Sequence, residues 1–244
     1  MIRSLLRKLS RRRPDWALPD ASDWQLEIIS KVQSFTMTSP ECIHATINAV
    51  EYIVQHDVPG AIVECGVWKG GSMMAAALTL KHLGAERPIY LFDTFEGMTQ
   101  PATVDVDIHG EAALATYSRI REQPEKAQWC EARIDEVRKN MQSTQHPAHL
   151  THLVEGTVEV TVPGQAPAEI ALLRLDTDWY ASTRHELEHL YPRVTEHGLI
   201  VIDDYGHWAG SRKAVDEYIE NHGIRCLLHR IDYSARQFVK TSRN

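Results

Sequence analysis

Short apolar runs alternate with helix-length segments along most of the chain. The apolar runs are VPGAIVECG, PIYLFD, LTHLVEG, IALLRLD and GLIVIDD. The segments that predict helices are SMMAAALTLKHLG, GEAALATYSRIREQ, WCEARIDEVRKNM, STRHELEHLYPRV and SRKAVDEYIENHG. Strands that are apolar along their whole length are buried on both faces, which is typical of a parallel sheet covered by helices. The alternation therefore predicts a doubly wound α/β domain.

Both ends of this pattern add further elements. Before the first strand, PECIHATINAVEYIVQ places apolar residues on one helical face, and Ser39 followed by Pro40 marks its start. We therefore expect a helical N-terminal cap over residues 21–57. After the last helix, IRCLLHR and ARQFVKT predict two strands whose short link, IDYS, permits only antiparallel pairing. A single domain over residues 21–244 then holds a mostly parallel seven-stranded sheet with a C-terminal antiparallel hairpin.

Length and composition fit one globular domain in a reducing compartment. The chain has 244 residues, of which 43% are hydrophobic and 24% are charged, enough for a sizeable core. No apolar run approaches the roughly 18 residues that a membrane-spanning helix needs. The four cysteines lie far apart without the spacing of a metal site, which favours free thiols. We expect a cytoplasmic protein.

Charge is distributed unevenly between the N-terminus and the rest of the chain. The first thirteen residues, MIRSLLRKLSRRR, carry six Lys or Arg and no acid. The remainder has 20 Lys and Arg against 33 Asp and Glu, and a body this acidic argues against nucleic acid as a partner. The basic tail, residues 1–20, is either frayed or forms a short amphipathic helix on an anionic membrane surface. The frayed tail is the simpler prediction.

The first two predicted strands both end at acids. In IVECGVWKGGS, Glu64 closes the strand, and the following glycines let the chain turn tightly and let a ligand approach the backbone. The spacing matches neither the dinucleotide pattern nor the phosphate loop, and an acid before the turn suits a ligand with a cationic amine. Asp93 follows the second strand, where nucleoside-binding sheets hold ribose hydroxyls. A tight turn with a helix cap is the alternative.

Two later strands end in paired aspartates. LLRLDTDWYAST carries Asp176 and Asp178, and LIVIDDYG carries Asp203 and Asp204. Ligands of doubly wound sheets bind beyond the carboxyl ends of the strands, where all four acids are expected. Two carboxylates about 4 Å apart repel each other by about 4 kcal/mol at a surface-like dielectric. This repulsion has to be offset by a partner, unless the acids only cap the helices that follow.

Four long motifs together resemble the macrocin O-methyltransferase (TylF-like) family. They are VPGAIVECGVWKGGSMM, LFDTFEGM, LLRLDTDWYAST and LIVIDDYGHWAGSRKAVDEY, in the order and spacing of the family. The resemblance extends from Phe35 to Tyr218 and leaves out the basic tail. Members of the family use S-adenosylmethionine and magnesium to methylate sugar hydroxyls of natural products. The resemblance implies a class I, Rossmann-like methyltransferase fold and a small-molecule hydroxyl acceptor.

The resemblance also implies which residues bind the cofactor. Glu64 and Gly66 would line its methionine end, Asp93 would hold the ribose, and the TMTS segment would be a lid over its carboxylate. The full set of implied cofactor-binding residues is Thr36, Met37, Ser39, Glu64, Gly66, Ser72, Asp93, Thr94 and Phe95. For TMTS, a simple helix cap is the alternative.

At the acidic end, the resemblance implies a metal site formed by Asp176, Asp203 and Asp204. Three carboxylates without Cys or His favour a hard cation, Mg²⁺ first and then Mn²⁺ or Ca²⁺. Asp178 is the implied base that removes the proton of the acceptor hydroxyl. Some family members use a histidine from the variable central region instead, and His109 lies in that region without matching a motif.

The acceptor is expected to contact the loop over residues 100–109 and the helices up to Ser143. His207, Trp208 and Arg212, next to the second aspartate pair, are further candidates for shaping its pocket. We also expect a homodimer.

Two other functions stay open at this point. Metal-dependent phosphohydrolases also combine DxD with a later DD, but their DxD follows the leading strand and a Lys lies between the clusters. Here DTD follows the fourth strand, and no Lys lies between Asp178 and Asp203. The second alternative is a catalytically inactive S-adenosylmethionine-binding domain that acts through a partner, although every expected acid is present.

Overall fold

The computed structural model describes residues 18–122 and 128–241, so most of the basic tail lies outside the described residues. One seven-stranded sheet forms its centre. The strands are β1 (Ala61–Cys65), β2 (Ile89–Asp93), β3 (Thr151–Glu155), β4 (Ile170–Leu175), β5 (Val194–Ile202), β6 (His229–Arg230) and β7 (Arg236–Val239). Their order is β3-β2-β1-β4-β5-β7-β6, with β1 to β5 parallel and β7 antiparallel to both neighbours. The predicted doubly wound sheet with its C-terminal hairpin is confirmed.

Eight α-helices lie within the described ranges, and most of them cover the two faces of the sheet. They are α1 (Asp23–Val32), α2 (Pro40–Gln55), α3 (Gly71–Leu83), α4 (Ala113–Arg121), α5 (Ile134–Ser143), α6 (Val158–Thr161), α7 (Tyr180–Leu190) and α8 (Ala209–Asn221). Helices α1, α2, α3 and α5 share one apolar core with the sheet, and α6, α7 and α8 share the other. None of the described helices is long and apolar enough to cross a membrane.

The N-terminal helical cap starts as its sequence predicts. Ser39 precedes α2, and its hydroxyl accepts a hydrogen bond from the Cys42 backbone N–H at 3.1 Å. Pro40 is the first helical residue, where its missing N–H costs nothing. The predicted apolar face is fully buried against the sheet and α3, and consists of Ile43, Ile47, Val50 and Ile53.

Two elements differ from their predictions. The segment WCEARIDEVRKNM is helical only from Ile134, because the Trp129 carbonyl accepts from the Met98 N–H at 2.8 Å instead of entering a helix. The strand predicted for IRCLLHR is reduced to His229–Arg230. Leu227 is 80% exposed there, so its side chain gains nothing from the sheet.

The register of the central strands places their charged residues on one face. Glu64 on β1 pairs with Arg174 on β4, and Arg174 pairs with Val201 on β5. Residues two apart on a strand share a face. Asp176 and Asp203 each lie two positions further along, and their N–H groups continue the ladder to the Cys65 and Leu175 carbonyls. The four charges therefore meet at the carboxyl edge of the sheet.

Candidate active site

A cavity of about 540 Å³ lies beyond the carboxyl ends of β1, β2, β4 and β5. Nearly every residue implied by the resemblance lines it: Thr36, Met37, Ser39, Glu64, Gly66, Ser72, Asp93, Thr94, Asp176, Asp178, Asp203 and Asp204. Phe95 is the exception, because its side chain is 3% exposed and packs in the apolar core. Its backbone N–H donates to Oδ1 of Asp93, which lines the cavity, at 2.8 Å.

A buried arginine lies at the centre of the acids. Arg174 Nη1 donates to Glu64 Oε1 at 2.8 Å and also to Asp176 Oδ2, and its Nη2 donates to Asp203 Oδ1 at 2.6 Å. Burial works to lower the pKa of Arg174, but the surrounding carboxylates raise it well above its usual range, so the guanidinium stays charged. Arg174 therefore offsets part of the repulsion that the paired aspartates would otherwise create.

Sequence reasoning missed Arg174, although a signal was present. It is the one charged residue inside the apolar run of β4, and its side chain is 2% exposed. A charge in a strand that is buried on both faces must be paired. Residues two apart on a strand share a face, so the sequence already indicated Asp176 as a partner of Arg174.

Three carboxylates form a compact candidate metal site. One oxygen each from Asp176, Asp203 and Asp204 can be chosen so that all lie within 4.8 Å of one another. Burial raises the pKa of Asp203 and of Asp204 well above the usual range, and neighbouring carboxylates add to the rise, whereas the positive charge of Arg174 counteracts it. Arg174 occupies one oxygen of Asp176 and one of Asp203, which leaves each a second oxygen. This all-oxygen donor set fits a hard divalent cation such as Mg²⁺.

Asp178 lies beside this triad in an unusual backbone conformation. Its φ is +66°, in the left-handed region that Asp tolerates better than most residues. Its N–H donates to Asp204 Oδ2 at 3.1 Å, and its Oδ1 accepts from Trp208 Nε1 at 2.7 Å. Burial raises the pKa of Asp178 to about 7, and the charge of Asp176 contributes to the rise. A carboxylate with such a pKa can accept a proton near neutral pH.

Glu64 presents an unsatisfied oxygen in the same cavity. The residue is 1% exposed, and its Oε2 has no hydrogen-bond partner among the described residues. Burial raises the pKa of Glu64 to about 8, so the pairing with Arg174 alone does not offset the burial. A second cation near Oε2 would satisfy this oxygen and stabilise the ionised form. The site therefore suits a ligand that carries an ammonium group.

Gly66 allows close approach at the turn after β1. Its φ is +81°, and a Cβ at this position would lie 1.9 Å from the Asp176 carbonyl oxygen. No side chain fits there, so the β1 and β4 ends stay in contact through their backbones. The turn next to it is fixed by Asp93, whose Oδ2 accepts from the Val67 and Trp68 N–H groups at 2.6 and 3.0 Å. The Asp93 carboxylate is thus already engaged with backbone while it lines the cavity.

The TMTS segment is tied to the C-terminal hairpin. Besides capping α2, the Ser39 hydroxyl donates to Asp232 Oδ2 at 2.7 Å. The Asp232 Oδ1 accepts from the Ser234 and Ala235 N–H groups in the β6–β7 turn. Met37, which is 64% exposed, lies at the mouth of the cavity. The helix-cap contacts of Ser39 are therefore present, and its predicted contact with the cofactor stays a prediction.

Three tryptophans form a cluster that reaches the cavity. Trp129, Trp179 and Trp208 pack edge to face, with ring centroids 5.0 to 6.2 Å apart. Trp129 and Trp208 line the cavity and form its tryptophan wall, whereas Trp179 is absent from the lining. Sequence reasoning identified Trp208 but missed the other two, which are brought together from separate segments of the chain.

The remaining candidates divide between the cavity and its outside. His207 lines the cavity. His109 is exposed and absent from the lining, and its backbone N–H donates to Asp107 Oδ1 at 2.8 Å. Arg212 is also absent from this lining, and its Nε donates to the Tyr205 carbonyl at 3.0 Å. Outside the cavity, three apolar residues of α3 are buried in the core, namely Met73, Met74 and Leu78.

The sheet order and the site at its carboxyl edge define a Rossmann-like methyltransferase. Among solved structures, the O-methyltransferase NovP matches with a TM-score of 0.72 at 28% identity, covering 85% of this chain and 83% of that chain. A model of the family described as macrocin-O-methyltransferase (TylF) matches residues 15–240. The chain belongs to this family, which confirms the resemblance of its motifs, and it is an O-methyltransferase.

Two named O-methyltransferases are similar to this chain. One is the 8-demethyl-8-(2,3-dimethoxy-alpha-L-rhamnosyl)-tetracenomycin-C 4'-O-methyltransferase of Streptomyces olivaceus, 32% identical over 184 residues, which cover 75% of this chain and 67% of the relative. The other is the mycinamicin III 3''-O-methyltransferase of Micromonospora griseorubida, 29% identical over 198 residues, 81% of this chain and 75% of the relative.

Proposed function

We propose that this protein transfers a methyl group from S-adenosylmethionine to a hydroxyl of a sugar or polyol-containing small molecule, with a bound divalent cation, Mg²⁺ first. The observation that carries the proposal is that one cavity holds two complementary sites. An unpartnered, buried Glu64 oxygen and the triad of Asp176, Asp203 and Asp204 both line it, and Arg174 contacts Glu64 as well as the triad. A donor with an ammonium group and an acceptor near a cation would therefore meet in this cavity.

The cofactor would occupy the side formed by the β1 and β2 ends. Glu64 Oε2 would accept from its ammonium group, and Gly66 leaves room for it to approach the backbone. Asp93 would face its ribose, and Thr36, Met37 and Ser39 would cover it from the N-terminal cap. When bound, S-adenosylmethionine supplies an electrophilic methyl group on a sulfonium, and a divalent cation supplies charge that lowers the pKa of a nearby hydroxyl.

Asp178 would act as the base. Its carboxylate accepts the hydroxyl proton while the acceptor oxygen forms a bond to the methyl carbon. The pocket would then release two products, the methylated acceptor and the thioether, which keeps the electron pair of the broken methyl–sulfur bond. The strand ends would hold the two partners in line, which lowers the barrier of a reaction between two bound molecules.

The tryptophan wall and the relatives support a sugar as the acceptor class. Trp129 and Trp208 give an apolar surface beside the acids, which suits a molecule with one apolar face and a polar hydroxyl edge. One relative is named for methylation of a rhamnosyl group. A cytoplasmic homodimer stays a prediction, and light scattering of the purified protein tests the dimer.

Calorimetry tests both halves of the site. S-adenosylhomocysteine and Mg²⁺ are titrated separately into wild type, Asp203→Asn and, as control, Asp216→Asn, whose carboxylate accepts from the exposed Tyr205 hydroxyl. We expect both ligands to bind wild type and the control, and Mg²⁺ binding to be lost in Asp203→Asn. Failure of S-adenosylhomocysteine to bind wild type would refute the proposal. Nucleoside binding without Mg²⁺ binding would favour the inactive-domain alternative, whereas the family match already argues against a phosphohydrolase.

A further inference from the structure

An indole N–H is aimed directly at the Asp178 carboxylate. Trp208 Nε1 donates to Asp178 Oδ1 at 2.7 Å, at the short end of the range for hydrogen bonds to a charged acceptor. The Trp208 side chain belongs to a buried apolar cluster, and the residue is 8% exposed. A buried indole N–H needs an acceptor, and here the acceptor is the proposed base rather than a backbone carbonyl.

Both partners of this hydrogen bond are held from several sides. The Trp208 ring packs edge-on against Trp179 at 5.0 Å and against His207 at 4.8 Å. Its backbone N–H donates to the Asp204 carbonyl at 2.9 Å, and the Asp178 N–H donates to the Asp204 carboxylate. Asp204 therefore links the two residues through its main chain and its side chain. These contacts hold both side chains in place, so the hydrogen bond between Trp208 and Asp178 is part of the packed structure.

We propose that Trp208 is a positioning residue that orients the Asp178 carboxylate for proton transfer through its indole N–H. The inference rests on the proposed role of Asp178 as the base. A hydrogen bond to Oδ1 fixes the plane of the carboxylate, and so fixes where Oδ2 lies relative to the acceptor hydroxyl. The proton passes from that hydroxyl to Asp178, and Trp208 exchanges no proton.

A neighbouring tryptophan supplies a matched control. Trp179 belongs to the same cluster, but its Nε1 donates to the Thr99 carbonyl at 3.0 Å, and its ring is absent from the cavity lining. Replacing either residue with Phe removes one indole N–H and keeps an aromatic ring. Only Trp208→Phe removes a hydrogen bond from the proposed base. General packing damage should affect both variants alike.

Indole nitrogen NMR tests the contact without relying on turnover. In the full-length ¹⁵N-labelled protein, the Trp208 indole signal is the one that disappears in Trp208→Phe. We expect Asp178→Asn to move this signal upfield by more than the Trp179 signal, because a charged acceptor is replaced by a neutral one. An unmoved Trp208 signal would overturn the proposal, whether or not the protein binds S-adenosylhomocysteine.

Kinetics then separate positioning from packing. With S-adenosylmethionine, Mg²⁺ and methyl α-L-rhamnopyranoside as probe acceptor, we expect Trp208→Phe to lower kcat by about tenfold. The KM for the probe and the Kd for S-adenosylhomocysteine stay within twofold, and Trp179→Phe resembles wild type. Equal losses in the two variants, or a change confined to KM, would show that Trp208 only forms part of the wall. Failure of wild type to bind S-adenosylhomocysteine would refute the proposed function and leave the NMR result to decide the contact.

Discussion

Arg174 and Glu64 lie side by side in register on the two central strands, and Arg174 Nη1 donates to Glu64 Oε1 at 2.8 Å. The same guanidinium also holds Asp176 and Asp203. One buried cation therefore connects the proposed cofactor site with the proposed metal site. Replacing a single partner of such a network leaves charges buried without a counter-charge, which costs more than the network contributes as a whole.

Arg174→Met should therefore lower the free energy of unfolding by about 3 kcal/mol in the absence of a divalent cation, as measured by urea denaturation. Mg²⁺ should restore part of the loss, because it neutralises two of the orphaned carboxylates. The free energy of unfolding of Arg174→Lys should lie between those of wild type and Arg174→Met. Lysine keeps the positive charge, but its ammonium group cannot contact three carboxylates as the planar guanidinium does. The control is Arg184→Met, which removes an exposed pair with Glu188 and should cost less than about 1 kcal/mol. Equal effects at both positions would contradict the prediction.

Gly66→Ala should abolish S-adenosylhomocysteine binding, measured by calorimetry. The new Cβ would lie 1.9 Å from the Asp176 carbonyl oxygen, so the β1 and β4 ends must separate at the site. Gly84→Ala is a matched control, because Gly84 also has a positive φ but nothing lies within 4 Å of its added Cβ. It should cost only the conformational strain, about 1 kcal/mol, and keep full binding. If Gly66→Ala binds normally, the glycine turn is not part of the cofactor site.

Glu186 should make stability fall as the pH rises. It is fully buried, its Oε1 accepts from the Thr177 hydroxyl at 2.9 Å, and burial raises its pKa well above the usual range. The folded state therefore holds this proton more tightly than the unfolded chain, whose Glu titrates near about 4.3. The contribution of protonated Glu186 to the free energy of unfolding is complete below the pKa of the unfolded chain. It is lost as the pH increases toward the higher pKa of the folded state.

Glu186→Gln removes this titration, so its stability relative to wild type should increase between pH 4 and pH 8, by at most about 1.4 kcal/mol per pH unit. Urea denaturation at several pH values measures the difference. Glu188→Gln, on the same helix but in an exposed ion pair, is the comparison. A stability difference between wild type and Glu186→Gln that is constant with pH would show that folding does not raise the pKa of Glu186.

Ser39 and Asp232 should show coupled energetics. Ser39→Ala removes both the cap of α2 and the contact with the hairpin, so it should cost about 1 to 2 kcal/mol. Asp232→Ala removes the contact from the other side. In a double-mutant cycle, the two should be non-additive by about 1 kcal/mol. Additive effects would mean that the 2.7 Å contact contributes nothing to stability.

The first five strands could be predicted because each is a local apolar run that ends at an acid. The site could be predicted only in part. The role of Arg174 was missed because its three carboxylate partners lie at the ends of three different strands. The segment around Trp129 was wrongly predicted as helix. Its carbonyl accepts a hydrogen bond from the Met98 N–H, and the local sequence does not encode this contact. At such positions the local structure depends on hydrogen bonds between distant segments rather than on the spacing of hydrophobic residues.

The contact between Ser39 and Asp232 joins residues 193 positions apart in sequence. A ribosome adds about 5 to 20 residues per second, so the segment with Ser39 emerges many seconds before the turn that secures it. Until then β5 also lacks β7, its antiparallel neighbour. A nascent chain can form the first parallel strands early, but it completes the pocket wall only after Asp232 has left the exit tunnel. Ligand binding is thus a late event in the life of each newly made molecule, and it reports that the hairpin has docked.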